Sequence, residues 1–137
     1  MSKLDLIMMS TSTSSSVPIN GIIPLTTINR RRGCSAINTI ANNVVLTKAG
    51  YYSVKGTITF TAPVAGNATI QLYKNGTPVD GIIASETITT ATTEVRTMPI
   101  SGIVRVFSNE STATFNLVVS GIAITVSNAE LDFIYEE

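Results

Sequence analysis

One run of alternating residues, followed at once by a tight-turn signal, constrains the fold of this chain more than any other feature. Along residues 51–62 one face carries Tyr52, Val54, Gly56, Ile58 and Phe60. The other face carries Ser, Lys and Thr, and a period of two with β-branched and aromatic side chains predicts a half-buried β-strand. A second run, residues 67–74, ends at Asn75-Gly76. Both of these residues accept positive φ in a two-residue hairpin turn, so the pattern predicts an antiparallel sheet.

Strand signals of the same kind recur along the rest of the chain, with turn residues between them. They fall at residues 22–28, 35–42, 43–46, 77–83, 86–94, 97–107, 113–119, 122–126 and 131–135. No window shows helical periodicity. The sequence therefore predicts an all-β protein, an antiparallel sandwich or barrel of about nine or ten short strands.

The first 19 residues differ from the rest in composition. A short apolar run contains Leu4, Leu6 and Ile7, and residues 10–16 are all Ser or Thr. Such a hydroxyl run buries too little surface to order itself, so we predict a flexible N-terminal arm and linker over residues 1–19 and a folded domain over residues 20–137. Leu4, Leu6 and Ile7 are candidate partner contacts, and a frayed terminus is the alternative. The apolar run is too short for a signal peptide or a membrane span, which predicts synthesis in a cytoplasm and no membrane partner.

Charge is scarce and unevenly distributed. Charged residues make up 13% of the chain, and the net charge is zero; about 25% is usual. Two interpretations fit: much of the surface faces neighbouring subunits, or the chain is a monomer with hydroxyl-covered faces. Basic residues dominate up to Lys55 and acidic ones after it. This split could join subunits head to tail, or it could be chance.

The residues that catalysis and metal binding require are largely missing. The chain has no His and a single cysteine, Cys34, so a nucleophile lacks its usual base and no intrachain disulfide forms. Glu130 and Asp132 share one strand face, which predicts solvated carboxylates, although three copies around a trimer axis could bind a cation. We expect no catalytic residue, no metal, no cofactor and no enzymatic activity.

Three consecutive arginines are the sharpest charged feature. Arg30, Arg31 and Arg32 are candidate contacts for an acidic partner protein, and a solvated loop is the alternative. The run has no interleaved aromatic residues and the net charge is zero, so we do not expect nucleic-acid binding.

Several segments together resemble a known family. They are Lys48-Ala-Gly-Tyr-Tyr-Ser-Val, Phe60-Thr-Ala-Pro, Ile70-Gln-Leu-Tyr-Lys-Asn-Gly-Thr-Pro-Val and Ala129-Glu-Leu-Asp-Phe-Ile-Tyr. Their order over residues 20–137 resembles the trimeric jelly-roll family of tumour necrosis factor and the globular complement heads, which has phage fibre and decoration proteins among its members. Two features depart from it: Val64-Ala-Gly-Asn-Ala replaces a second Gly-Tyr pair, and no Gly-X-Y stalk precedes the domain.

The resemblance implies a jelly-roll homotrimer. Its apolar and aromatic axis has the candidates Tyr51, Tyr52, Phe60, Phe133 and Tyr135. The implied function is that of a structural phage virion protein, a capsid decoration or short fibre, that contacts other virion proteins such as the major capsid protein. The alternative is a carbohydrate- or receptor-binding tip of a phage fibre or bacterial surface filament. The lack of Trp counts against a glycan site.

Overall fold

A computed structural model describes residues 6–12, 14–32, 36–37, 42–110 and 112–136 of the chain. Within these ranges eleven strands form. They are β1 (Leu6–Thr11), β2 (Ser15–Val17), β3 (Thr27–Arg32), β4 (Ala36–Ile37), β5 (Val44–Leu46), β6 (Gly50–Thr61), β7 (Gly66–Lys74), β8 (Thr77–Ile88), β9 (Arg96–Val106), β10 (Ala113–Ser120) and β11 (Ile124–Glu136). None of the described segments is a helix long and apolar enough to cross a membrane.

The strands form two antiparallel sheets. Sheet A has the order β3-β1-β11-β6-β9, with β2 paired to the start of β11, and sheet B has the order β4-β5-β10-β7-β8. From β5 onward the chain passes repeatedly from one sheet to the other. This arrangement confirms the predicted all-β antiparallel jelly-roll sandwich.

The core lies between the two sheets and is built by the predicted alternation. Tyr52, Val54, Ile58 and Phe60 on β6 are all buried, while the residues between them point away from sheet B. Sheet B contributes the apolar faces of β7 and β10 in the same way. Across the sandwich the rings of Phe115 and Phe133 have centroids 5.1 Å apart. Each such side chain contributes roughly 1.5–3 kcal/mol when it is fully buried.

The predicted hairpin turn is confirmed. Asn75 and Gly76 have φ of 51° and 82°, and they join β7 to β8 with Lys74 opposite Thr77. Positive φ at both positions is what a type I′ turn requires. The turn is also bound to β10, since the Asn75 N–H donates to the Thr114 carbonyl at 2.8 Å and the Thr114 N–H donates to Asn75 Oδ1 at 2.8 Å.

The N-terminal segment differs from the prediction of a flexible arm. From Leu6 onward it belongs to the sandwich: β1 lies inside sheet A between β3 and β11, and β2 pairs with β11. Ile7 and Met9 are fully buried. The reason is that successive side chains of a strand point to opposite faces, so Ile7 and Met9 enter the core while Leu6 and Met8 lie on the other side of sheet A. The Ser/Thr residues that follow can pair through their backbone groups, whatever their side chains are. Residues 1–5 lie outside the described ranges.

Three further boundaries differ from their predictions. The strand expected at residues 22–28 begins only at Thr27, and Ile22 makes an isolated bridge to Val118. The strand expected over residues 86–94 stops at Ile88, where the Glu94 carboxylate accepts the N–H groups of the next two residues. The two strands expected near the C-terminus form one, β11, with a register shift between Val126 and Asn128.

Candidate functional site

The side of sheet A that points away from sheet B, here called the sheet A face, mixes apolar and charged side chains. Directly paired residues share a face, so the strand register defines rows of side chains across the sheet. One row consists of Arg32, Leu6, Ile134, Ser53 and Ile103, and the next of Arg30, Met8, Asp132, Lys55 and Ser101. An apolar row beside a charged one is unusual for a face exposed only to water.

Asp132 is the least satisfied group on this face. It lies between Met8 of β1 and Lys55 of β6, and its Oδ1 atom is buried without a hydrogen bond from any described residue. The pKa of Asp132 is raised from 3.8 to about 7, first by burial and then by the charge of Glu130 and a hydrogen bond with it, while the charge of Lys55 opposes the rise. The prediction of a solvated carboxylate is therefore wrong for Asp132, because one of its oxygens is buried away from water.

A patch at the end of β9, the edge strand of sheet A, continues the sheet A face, because Tyr51, Ile103 and Arg105 alternate with the core residues of β6 and β9. We call it the edge patch, and it consists of Tyr51, Ile103, Arg105 and Phe107. The exposed fractions of Tyr51, Ile103 and Phe107 are 50%, 63% and 46%. The guanidinium carbon of Arg105 lies 5.2 Å from the ring centroid of Tyr51 and 4.6 Å from that of Phe107. Arg105 is thus held between two rings by cation–π contacts, and it forms no ion pair with any described residue.

The edge patch is supported from behind by an ion pair. Lys74 Nζ donates to Glu110 Oε1 at 2.8 Å and to the Arg105 carbonyl at 2.8 Å, and it lies 4.9 Å from the Phe107 ring centroid. The Phe107 N–H donates to the same Glu110 oxygen at 2.7 Å. The hydrogen bond from Lys74 and that from Phe107 hold the pKa of Glu110 below its usual range. The backbone around Arg105 is therefore fixed before any partner binds.

The structure separates the five residues predicted at a trimer axis. Tyr52, Phe60 and Phe133 are buried between the sheets of their own chain, so they have no surface for a second chain, contrary to the prediction. Tyr52 also donates its hydroxyl to the Lys48 carbonyl at 2.7 Å. Tyr135 is half-buried, with its ring centroid 5.2 Å from that of Tyr52. Of the five, Tyr51 alone is exposed, in the edge patch.

The predicted partner contacts are separated in the same way. Ile7 points into the core and Leu6 is buried on the sheet A face, so neither is presented on a free arm. The side chains of Arg30 and Arg32 are exposed beside Met8 and Leu6 on the edge strand β3. Arg31 lies in β3 opposite Ile7. Leu4 and Cys34 fall outside the described residues.

Sequence reasoning missed Ile103, Arg105 and Phe107. The signal was present, because Ile103 and Phe107 fall on the otherwise polar face of the strand predicted at residues 97–107. An apolar side chain on a polar face indicates a contact that the alternation does not account for. Over the described residues no three Cys, Asp or Glu side chains come together in a way that could hold a metal ion.

Comparison with known proteins identifies the fold. No family model matches the chain, and no curated protein does. Among solved structures it is similar to Eiger TNF from S. frugiperda, with a TM-score of 0.77 and 8% identity over 99% of this chain and 94% of that one. The globular domain of zebrafish complement 1qA gives a TM-score of 0.71 and 5% identity over 97% and 98% of the two chains. The vertex protein P5 of phage PRD1 gives 0.63 and 13% identity, with both chains fully covered. The predicted resemblance is confirmed: the chain has the jelly-roll fold of tumour necrosis factor and complement heads.

Proposed function

We propose that this chain is a non-enzymatic structural protein of a phage particle, a jelly-roll homotrimer that decorates the capsid or forms a short fibre. The observation that carries the proposal is the sheet A face, which combines partly exposed apolar side chains with a buried carboxylate oxygen that no described residue bonds. A vertex protein of a phage shares the fold over its whole length.

Assembly explains both the edge patch and the surroundings of Asp132 better than a monomer does. Exposed aromatic, Arg and aliphatic side chains clustered on one edge are the composition of a protein interface core. The edge strand β9 also presents backbone groups that most β-proteins protect by covering or pairing them. A neighbouring subunit that covers this edge removes both problems.

Two different regions of the sheet A face favour a cyclic assembly. The edge patch at the end of β9 and the region around Asp132 consist of different residues, so a contact between them is heterologous and repeats around a ring. Three subunits are the number that the resemblance implies. The trimer then offers its remaining surface to other virion proteins such as a major capsid protein.

The oligomeric state is the first test. Sedimentation velocity and light scattering at micromolar concentration should give three times the chain mass, and a stable monomer would contradict the proposal. Mass spectrometry of purified particles from a phage that encodes the chain should then detect it in a multiple of three copies per attachment site.

A carbohydrate-binding tip is the second candidate. It is favoured by the uncharged hydroxyl and amide side chains on the outside of sheet B, where Asn67, Thr69 and Gln71 lie on one strand face. Glycan-array binding by a chain that is missing from purified particles would favour this function over the structural one.

A further inference from the structure

We propose that, in the assembled protein, Arg105 of one subunit binds Asp132 of the next, so that each edge patch closes over its neighbour's sheet A face. This inference rests on the proposed homo-oligomer and names the contact that holds it together. The occupant of the sheet A face is thus a second copy of this chain.

Asp132 supplies the acceptor. Its Oδ1 atom is removed from water and accepts no hydrogen bond from the described residues. The charged groups around it are Glu130 on β11, Lys55 on β6 and Arg30 on β3, and the described part of β1 brings none. The Asp132 side chain is only half-buried, so rotation of its carboxyl group brings this oxygen within reach of a partner, and a charge-assisted hydrogen bond then removes the cost of leaving it without a donor.

Arg105 supplies the donor. Its guanidinium group has five N–H donors, and the flanking rings of Tyr51 and Phe107 position it without occupying those donors in an ion pair. Lys74, which lies behind the edge patch, is already bound to Glu110. Of the two cations Arg105 and Lys74, Arg105 is therefore the one available to a second chain.

The two groups cannot meet within one subunit. In the strand register, Arg105 lies opposite Tyr51 of β6. Asp132 lies opposite Lys55, which is four residues farther along β6. Four residues of strand correspond to about 13 Å, and two strand spacings add about 10 Å at right angles. A subunit that cannot satisfy Asp132 from its own Arg105 can do so with the Arg105 of a neighbour.

The surroundings of the two charges also match. Leu6, Met8 and Ile134 flank Asp132, and Ile103 stands beside Arg105. Apolar side chains on both sides exclude water from the ion pair, as in the well-packed centre of an interface. In a closed ring every Arg105 and every Asp132 is used once, with none left over.

A double-mutant cycle tests the pair. The variants are Arg105→Gln, Asp132→Asn and the two combined, and sedimentation gives the association constant of each. Each single change should weaken association by about tenfold or more, and the double variant should be no weaker than the weaker single variant. Arg96→Gln is the matched control: it lies on the same strand in an ion pair with Glu94, and it should leave association unchanged.

The outcomes separate the inference from the function. Additive losses, or no loss, in a wild-type protein that still forms trimers would overturn the pairing and leave the trimer standing. A wild-type monomer would overturn both. If a neutral variant misfolds, the charge exchange Arg105→Asp with Asp132→Arg should restore association that Arg105→Asp alone removes. Failure of that exchange in a folded protein would also overturn the pairing.

Discussion

The outer faces of the two sheets differ in how completely their polar side chains are bonded. On sheet B, polar side chains bind one another: Thr69 Oγ1 and Ser85 Oγ are 2.8 Å apart, Thr87 Oγ1 donates to Asn67 Oδ1 at 2.6 Å, and the Asn116 and Asn43 side chains are bonded at 2.8 Å. On sheet A, Thr59 Oγ1 and Thr97 Oγ1 are likewise 3.3 Å apart, but Asp132 keeps an oxygen without a donor among the described residues. Within the described ranges, the outer face of sheet B thus has no buried polar side-chain atom without a hydrogen bond, whereas the outer face of sheet A has one.

This difference explains how so few charges can suffice. A face of paired hydroxyl and amide groups satisfies its polar atoms and still presents lone pairs to water, so sheet B needs no charge to stay solvated. The few charges that the chain has can then be concentrated where a partner binds. Substitutions on the two faces should therefore have different consequences.

The largest effect is expected from removing β1, which lies inside sheet A. Deleting residues 1–11 removes the buried side chains of Ile7 and Met9, each contributing roughly 1.5–3 kcal/mol, together with the pairing to β3 and β11. This loss approaches the net stability of a small domain, so the truncated chain should not fold. Circular dichroism on thermal melting measures it. Deleting residues 1–5 removes none of the described strands and is the control; equal melting curves for both deletions would show that β1 is dispensable.

Next in size is a pair of matched substitutions on the two edge strands. Ile103→Asp places a charge in the edge patch, and Ile83→Asp places one on the outside of sheet B. The two isoleucines are similarly exposed, Ile103 to 63% and Ile83 to 49%. The first should weaken association by about a hundredfold, since it replaces an apolar contact with a carboxylate that faces the neighbour's Asp132. The second should leave association within about twofold. Equal effects in sedimentation would mean that the two faces do not differ in function.

A smaller effect should depend on pH. In the dissociated subunit the pKa of Asp132 is raised from 3.8 to about 7. A carboxyl with a raised folded-state pKa contributes stability that is full below about pH 4 and is lost as the pH rises through about 7. Adding Asp132→Asn to an Arg105→Gln background should therefore raise the melting temperature at about pH 8 and change little at about pH 4. A constant difference at both pH values would show that the carboxyl is not titrating between them. Glu130, Lys55 and Arg30 carry the other charges around Asp132, and they are the same residues in both proteins.

The smallest effect is expected on sheet B. Thr69→Ala removes one member of a cross-strand hydroxyl pair, which contributes roughly 0.2–1 kcal/mol to the free energy of unfolding. Urea unfolding should detect a loss within that range, and the oligomeric state should not change. A loss of association would show that sheet B also meets a partner.

The fold was more predictable than the site, for a physical reason. The alternation along residues 51–62 and the positive φ demanded by Asn75-Gly76 are local properties, so the sequence predicts them directly. The same alternation shows that Tyr52, Phe60 and Phe133 face something apolar. It does not distinguish the second sheet of the same chain from a neighbouring chain, and the structure places these residues against the second sheet.

The functional surfaces depend on long-range pairing. Glu130 and Asp132 look alike in the sequence, but β1 places Ser10 beside Glu130 and Met8 beside Asp132. Both neighbours come from the segment predicted to be a flexible arm. Local composition could not reveal that a hydroxyl-rich terminus also supplies a sheet strand, because the partner of that strand lies near the other end of the chain.

The pairing of Leu6 with Ile134 has a consequence for how the protein is made. β1 cannot pair with β11 until more than a hundred further residues have been synthesised, which takes on the order of ten seconds at ribosomal speed. β11 is the strand that lies between β1 and β6 in sheet A. Until it is made, these two strands cannot join one sheet, and their apolar side chains, including Ile7 and Met9, are not yet covered. The nascent chain therefore carries an open and aggregation-prone half-sheet, and its yield in a cell depends on what protects that half-sheet until β11 emerges.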